Sequence, residues 1–215
     1  MGQVVIAARG GPQAKSRLAE LLSPEDRAGL VEVMLRDMLE AAASAPRVGG
    51  LWVVTPTAAL ADIAREAGAQ VIDQAEPVGL NAAFRQALAA VGEAAPYETI
   101  ALLPGDLPLL AAGDLEAALA LAEAHGVALA PAIDGGTGAL VLRAGVELTP
   151  RFGARSFGVH SEQAARRGLS VAVLETESLA RDLDRPEDAT YVMEAAPGRR
   201  TALFLSERLS RLTAQ

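Results

Sequence analysis

The chain has no cysteine, which removes disulfides, thiolate metal sites and cysteine nucleophiles together and fits an intracellular setting. Aromatic residues make up only 3% of the 215 residues, so the core has to be built from Leu, Val and Ala in close helix–sheet contacts. No apolar run approaches the ~20 residues that a membrane span needs. The amino terminus runs into "QVVIAA" with too short and uncharged a stretch before it for a signal peptide, and the chain reads as a soluble cytoplasmic protein without a membrane partner. Excess positive charge is missing too. A formal charge of −8 argues against nucleic acid as a partner, because non-specific binding needs a basic footprint. Small anionic ligands stay open, provided that local cations, helix amino termini or a divalent metal offset the overall charge. Lysine is nearly absent: Lys15 is the single lysine in a Lys-plus-Arg total of 19. One compact ammonium among planar guanidinium groups marks a place where a fork does not replace a point charge.

What is present is an alternation of short β-branched runs with longer Ala/Leu-rich helical patterns, and an apolar content of 51% suits one globular domain. Strands are expected at 4–8, 51–55, 70–72, 99–103, 127–131, 139–142 and 170–174, and helices at 24–44, 57–67, 80–92, 114–124, 160–167, 186–195 and 202–212. The spacing predicts an α/β fold, a Rossmann-like three-layer αβα sandwich around a mostly parallel mixed sheet. The first helix has a start signal in "SPEDR", with Ser23 as cap, Pro24 in the first turn and Asp26 three residues on. Residues 1–195 read as one domain. Residues 196–215 read as a helical tail that packs on that domain or on the second subunit of a homodimer. Open parallel sheets bind ligands beyond the carboxyl ends of their strands, which places Arg9 to Arg17, Thr55, Asp73, Asp106 and Asp134 along one edge.

The loop "RGGPQAKSRL" at 9–18 ends in Lys-Ser, as a P-loop does, but has Arg9 and Ala14 where that motif requires glycine. "GGTG" at 135–138 does not open a helix after a strand, so it is no dinucleotide fingerprint. What remains is a glycine-containing loop, stiffened by Pro12, with three cations, Arg9, Lys15 and Arg17. It is either a solvated basic loop or a cradle for a triphosphate. In "LLPGDLPLL" at 102–110, Asp106 ends a buried strand and either holds a hard cation or caps a turn. In "ARDLDRPEDA" at 180–189, Asp182 and Asp184 share one side of an extended segment and can share a divalent ion, while Asp184 also reads as a helix cap. Gly153 and Ser156 of "PRFGARSFGVH" offer close backbone approach and a hydroxyl. His125 and His160 have no partners at zinc spacing, and no G-x-S-x-G elbow marks a serine hydrolase.

Taken in order, "AKSRL", "LSPEDRAGLVEVMLRDML", "LWVVT", "GLNAA", "LLPGDLPLL", "GTGAL", "RFGARSFGVH" and "LDRPEDA" resemble the 2-phospho-L-lactate guanylyltransferases of deazaflavin-coenzyme (coenzyme F420) biosynthesis, from Arg9 to about Asp188. These sit among nucleotidyltransferases that share a fold with the molybdenum-cofactor guanylyltransferases. The resemblance implies the nucleotide-diphospho-sugar transferase fold. It also implies transfer of GMP from GTP to 2-phospho-L-lactate or phosphoenolpyruvate, with release of pyrophosphate and with Mg2+ as cofactor. On the same basis Lys15, Asp106 and Asp184 are catalytic, and Arg9, Lys15, Arg17, Thr55 and Asn81 contact the nucleotide. Asp106, Asp182 and Asp184 hold the metal, and Thr137, Gly153 and Ser156 line the acid's pocket. The chain departs from the family pattern at Arg9-Gly10 (Lys-Pro), Gly138 (Asn), Arg155 (Gly) and Arg185 (Thr), which bears on the acceptor more than on the reaction. A molybdopterin or sugar phosphate acceptor, and a regulatory protein that binds nucleotide without turnover, are the competing readings.

Overall fold

The computed structural model describes residues 1–11, 13–74, 76 and 79–213; Pro12, read above as stiffening the first loop, lies outside the described residues. The chain opens with β1 (Gly2–Ala7), whose GQVVIA residues are all buried. After a 3-10 turn at Ser16–Leu18 come α1 (Pro24–Ala43), β2 (Val48–Thr55), α2 (Ala58–Glu66), β3 (Gln70–Asp73) and α3 (Leu80–Ala94). The second half runs β4 (Thr99–Pro104), α4 (Ala112–His125), β5 (Gly126–Pro131), β6 (Thr137–Leu142), α5 (Ser156–Arg166), β7 (Ser170–Val173), α6 (Glu177–Ala180), α7 (Pro186–Ala195) and α8 (Arg200–Thr213). The strands form a seven-stranded sheet in the order β3-β2-β1-β4-β6-β5-β7. Only β6 runs antiparallel to its neighbours β4 and β5, so the mixed, mostly parallel sheet agrees with the strand pattern. Among the described residues no helix is long and apolar enough to cross a membrane.

Central strands are apolar on both sides because helices cover both faces. In β1, Val4 and Ile6 join the core beneath α1, α2 and α4, while Val5 and Ala7 join the core beneath α3 and α5. Helix α1 starts as its sequence dictates: Ser23 Oγ accepts from the Asp26 backbone N–H at 3.1 Å and donates to the Asp26 carboxylate at 2.9 Å, with Pro24 in the first turn. The tail docks on the domain itself. Buried Asp37 of α1 accepts from the Thr201 backbone N–H (2.9 Å) and hydroxyl (2.7 Å), and Arg208 Nε donates to Asp26 at 2.7 Å.

Two local features differ from the sequence reading. Helix α5 begins at Ser156 rather than near 160, because glycine-rich "RFGARSFG" masks a helical turn in the pattern. Helix α6 is not anticipated at all, since one turn of four residues is too short to show a period.

The connection of β1 to β2 and β3 runs one way across the sheet and β4 lies on the other side of β1. The order therefore reverses between β1 and β4, and a crevice opens beyond their carboxyl ends. Gly105 lets the two exits come together: a Cβ there would stand 2.7 Å from the Ala7 carbonyl oxygen, which instead accepts from the Gly105 N–H at 2.9 Å.

Candidate functional site

The loop leaving β1 and the loop leaving β4 flank this crevice, and both bring charged side chains to it. Lys15 Nζ donates to Asp106 Oδ2 at 2.8 Å and lies 3.4 Å from Asp184 Oδ1, while Arg17 donates to the other Asp184 oxygen at 2.5 Å. The Lys15 side chain is only 9% exposed. Burial pulls its pKa down, but Asp106, with help from Asp184 and Asp182, outweighs this and holds the ammonium above its ordinary value. It is therefore a permanent positive charge at neutral pH. Lys15 also adopts the left-handed backbone conformation, φ 50°, which costs about 1 kcal/mol for a non-glycine residue.

Several bonds hold this conformation. Arg27 of α1 is buried and donates to the carbonyls of Ala14 (3.1 Å) and Leu22 (2.9 Å), bracing both ends of the loop. Leu18 anchors the 3-10 turn in the core. The Gly10 N–H donates to Thr57 Oγ1 at 3.1 Å.

Asp184 reaches the ammonium across the whole fold. The Leu183 N–H donates to the Asp106 carbonyl, and the Ile133 N–H to the Ala180 carbonyl, each at 3.0 Å; together they strap the 180–184 segment to the exits of β4 and β5. The helix-cap alternative falls elsewhere. Asp188 accepts from the backbone N–H groups of Asp184 (3.1 Å) and Arg185 (2.8 Å), so α7 is capped by Asp188 and the Asp184 carboxylate faces the crevice. Likewise Asp106 turns to Lys15, while Ala111 stands at the start of α4.

A cleft of about 150 Å³ adjoins the cluster, lined by Asp106, Asp182, Asp134, Thr137, Gly138, Phe152 and Gly153 among others. Burial, then the nearby Asp106, raises Asp182 to about 6, with Lys15 opposing and Asp184 adding to the shift. Among the described residues no three Asp, Glu, His or Cys side chains close on one point as a ready metal cage. Two carboxylates do converge, Asp106 and Asp184, around the Lys15 ammonium. That donor set fits Mg2+, a hard cation that binds through one or two carboxylates and leaves its other positions to water and substrate phosphates.

Thr137 and Ser156 are buried against each other, Ser156 Oγ donating to Thr137 Oγ1 at 2.9 Å, with His160 Nδ1 3.0 Å from the same oxygen. Gly153, with φ 134°, turns the chain into α5, and its carbonyl accepts from the Ser156 N–H at 3.0 Å. Asn81 is engaged locally. Its amide N–H donates to the Phe152 carbonyl (3.0 Å) and its amide oxygen accepts from the Phe152 N–H (2.6 Å), which pins the loop carrying Gly153. Thr55 is buried, and its hydroxyl accepts from the Thr57 N–H at 3.1 Å in the turn that supports Gly10. Arg9 is exposed and borders a separate cavity of about 240 Å³ with Ala7, Val54, Gln74 and Gly79. Asp73 pairs with Arg65 at 3.3 Å on the edge strand, away from the crevice.

Two of the four departures, Gly138 and Arg155, have a structural context. A Cβ on Gly138 would lie 1.5 Å from the Leu179 carbonyl oxygen, so the backbone of α6 occupies the space of the missing side chain. Arg155 is left-handed, φ 60°, a conformation natural to glycine, and it precedes α5 directly. Sequence reasoning missed the brace of Arg27, for which a helix-surface pattern holds no signal. It also missed the bonds of His160, whose partners, Thr137 on β6 and the Arg151 backbone, stand at no spacing that marks them.

With this geometry in place, comparison with known proteins is informative. Residues 2–210 match the family described as "Guanylyl transferase CofC like". The chain is 56% identical, over all of both chains, to a 3-phospho-D-glycerate guanylyltransferase of Phenylobacterium zucineum. It is 38% identical to a phosphoenolpyruvate guanylyltransferase of Nocardia farcinica, over 94% of this chain and 90% of that one. Identity is 32% to a 2-phospho-L-lactate guanylyltransferase of Methanothermobacter thermautotrophicus, over 89% of this chain and 84% of that one. A solved structure from Desulfovibrio desulfuricans G20, assigned only provisionally as a nucleotide-diphospho-sugar transferase, superposes with a TM-score of 0.77 over 96% of this chain and 95% of that one. At 19% identity the last likeness concerns the fold alone.

Proposed function

Because the chain belongs to the CofC-like guanylyl transferase family, a family of nucleotidyltransferases, we propose that it transfers GMP from GTP to 3-phospho-D-glycerate and releases pyrophosphate. The observation that carries the reaction type is the Lys15 ammonium held between Asp106 and Asp184, with Arg17 on the far oxygen of Asp184. It supplies fixed positive charge and hard oxygen donors at a sheet switch point. The acceptor rests on the 56% identity to a 3-phospho-D-glycerate enzyme, against 38% and 32% to enzymes named for phosphoenolpyruvate and 2-phospho-L-lactate.

An oxygen of the acceptor phosphate forms a bond to the α-phosphorus of GTP, and the bond from that phosphorus to the bridging oxygen of the β-phosphate breaks. The acceptor phosphate, with a second pKa of about 6, is mostly dianionic at neutral pH. No side chain is needed to remove a proton, and alignment and charge neutralisation carry the catalysis. Lys15 and Arg17 stabilise charge on the departing pyrophosphate. Asp106 and Asp184, with Asp182 beside them, would hold Mg2+, which when bound neutralises phosphate charge. Thr137 and the backbone at Gly153 line the cleft for the acid. The product, a three-carbon acid joined to GMP through a diphosphate, belongs in deazaflavin-coenzyme biosynthesis under this proposal.

The test is pyrophosphate release from GTP with Mg2+ and each of 3-phospho-D-glycerate, phosphoenolpyruvate and 2-phospho-L-lactate, with products weighed by mass spectrometry. The highest kcat/KM is expected with 3-phospho-D-glycerate. Preference for another of the three moves the acceptor and leaves the reaction standing; silence with all three, in protein that binds GTP, ends the proposal.

A further inference from the structure

Beside the carboxylate cluster lies a buried polar group whose protons can be placed atom by atom. The Arg151 backbone N–H can only donate, and it donates to His160 Nε2 at 2.9 Å. Nε2 is therefore bare, and a neutral ring carries its proton on Nδ1. Nδ1 stands 3.0 Å from Thr137 Oγ1, so Nδ1–H donates to that oxygen. Ser156 Oγ donates to the same oxygen at 2.9 Å. Both lone pairs of Thr137 Oγ1 are then filled, and its own hydrogen has to point elsewhere. Among the described residues none accepts it, and Thr137 lines the cleft beside Asp106 and Gly153.

The ring is kept neutral by its surroundings. His160 is fully buried, its ring in a T-shaped contact with Phe152 at a centroid distance of 5.2 Å, and burial pushes its pKa from 6.5 down to about 4. A second proton on Nε2 would face the Arg151 N–H and break that bond.

We propose that His160 is a positioning residue: as the Nδ1–H tautomer it fixes the Thr137 hydroxyl as a donor only, aimed into the cleft at an anionic oxygen of the phosphorylated acid. This rests on the acceptor reading above. A hydroxyl free to rotate serves donors and acceptors alike. One whose lone pairs are both occupied selects an anion and is already oriented when the acid arrives.

Two variants and one measurement test this. His160→Phe keeps a planar ring against Phe152 and removes both bonds; His160→Gln keeps one acceptor and one donor. In steady-state kinetics the acceptor KM is expected to rise about tenfold in His160→Phe, the scale of one oriented hydrogen bond to a charged group, with the GTP KM unchanged. His160→Gln is expected to restore most of the loss. A proportionate rise in both KM values, or a glutamine variant no better than phenylalanine, overturns the positioning role.

The tautomer is read in the native protein by long-range 1H–15N NMR at pH 7, which requires no turnover and no change at His160. The chain has two histidines, and His125→Asn, at an exposed ring, assigns the signals. A neutral ring protonated at Nδ1 supports the proposal; an Nε2–H tautomer or a charged ring overturns it. If none of the three acids is turned over, the acceptor reading falls. Calorimetric binding of 3-phospho-D-glycerate then decides the role of His160: weaker binding in His160→Phe supports it and equal binding overturns it.

Discussion

Replacing Asp182 by asparagine removes one negative charge from a crevice that already holds Asp106 and Asp184, with little change of shape. Burial, together with the repulsion of Asp106 and Asp184 and against the attraction of Lys15, raises the native carboxyl from 3.8 to about 6. At 1.36 kcal/mol per pKa unit, ionising it in the folded protein costs about 3 kcal/mol more than in the unfolded chain. Partial exposure of the side chain reduces this to about 1–2 kcal/mol. The sign follows from the direction of the shift. A carboxyl with a raised native pKa binds its proton more tightly when folded, so the penalty is complete above about pH 6 and disappears as pH falls toward 3.8. Asp182→Asn is therefore expected to stabilise the metal-free protein at pH 7.5. The melting temperature should rise by about 3–6 °C for a chain of this size, and the advantage should shrink to nothing near pH 4. Scanning calorimetry in chelator at both pH values measures this. Added Mg2+ should raise the wild-type melting temperature by more than that of the variant, since the metal relieves the same repulsion. A variant no more stable than wild type at pH 7.5, or one whose advantage is equal at pH 4, refutes the argument.

Lys15→Arg keeps the charge but places a planar fork in a pocket where one ammonium contacts two carboxylates; kcat/KM for pyrophosphate release should drop about 10- to 100-fold, while the melting temperature moves by only a few degrees. A wild-type rate in that variant would show that the compact charge has no special role. Gly138→Ala sets a methyl group 1.5 Å from the Leu179 carbonyl oxygen, so α6 has to move. Urea unfolding should show a loss of about 2–4 kcal/mol, with a changed KM for the acceptor because Gly138 lines the cleft. A loss below about 0.5 kcal/mol, the range of neutral surface changes, would mean that α6 does not pack there as described.

Much of the architecture is legible in local patterns. The seven strand segments follow from β-branched runs bounded by turn residues, and "SPEDR" places the start of α1, because caps and periods act over a few residues. Asp106 is legible for the same reason, as a carboxylate that ends an apolar strand. Asp184 is not: a cap and a carboxylate that faces the crevice look alike in "LDRPEDA", and Asp188 takes the cap, its carboxylate accepting both N–H groups at the start of α7. The bonds of His160 are not legible in sequence because its partners are Thr137 on β6 and the backbone of Arg151, neither of them an acidic or cysteine neighbour. Gly138 reads as a missing amide until α6 is seen to occupy its place.

By itself the sequence determines the α/β alternation, the strand edge along which charge collects and the single lysine placed after the first strand, since each depends on residues close together in the chain. Only the tertiary structure decides that Lys15 meets Asp184 across 169 residues, that the 180–184 segment is strapped to Asp106, and which way the Thr137 hydroxyl points. Those outcomes depend on bonds between distant segments, and a backbone hydrogen bond of that kind leaves no mark in side-chain pattern.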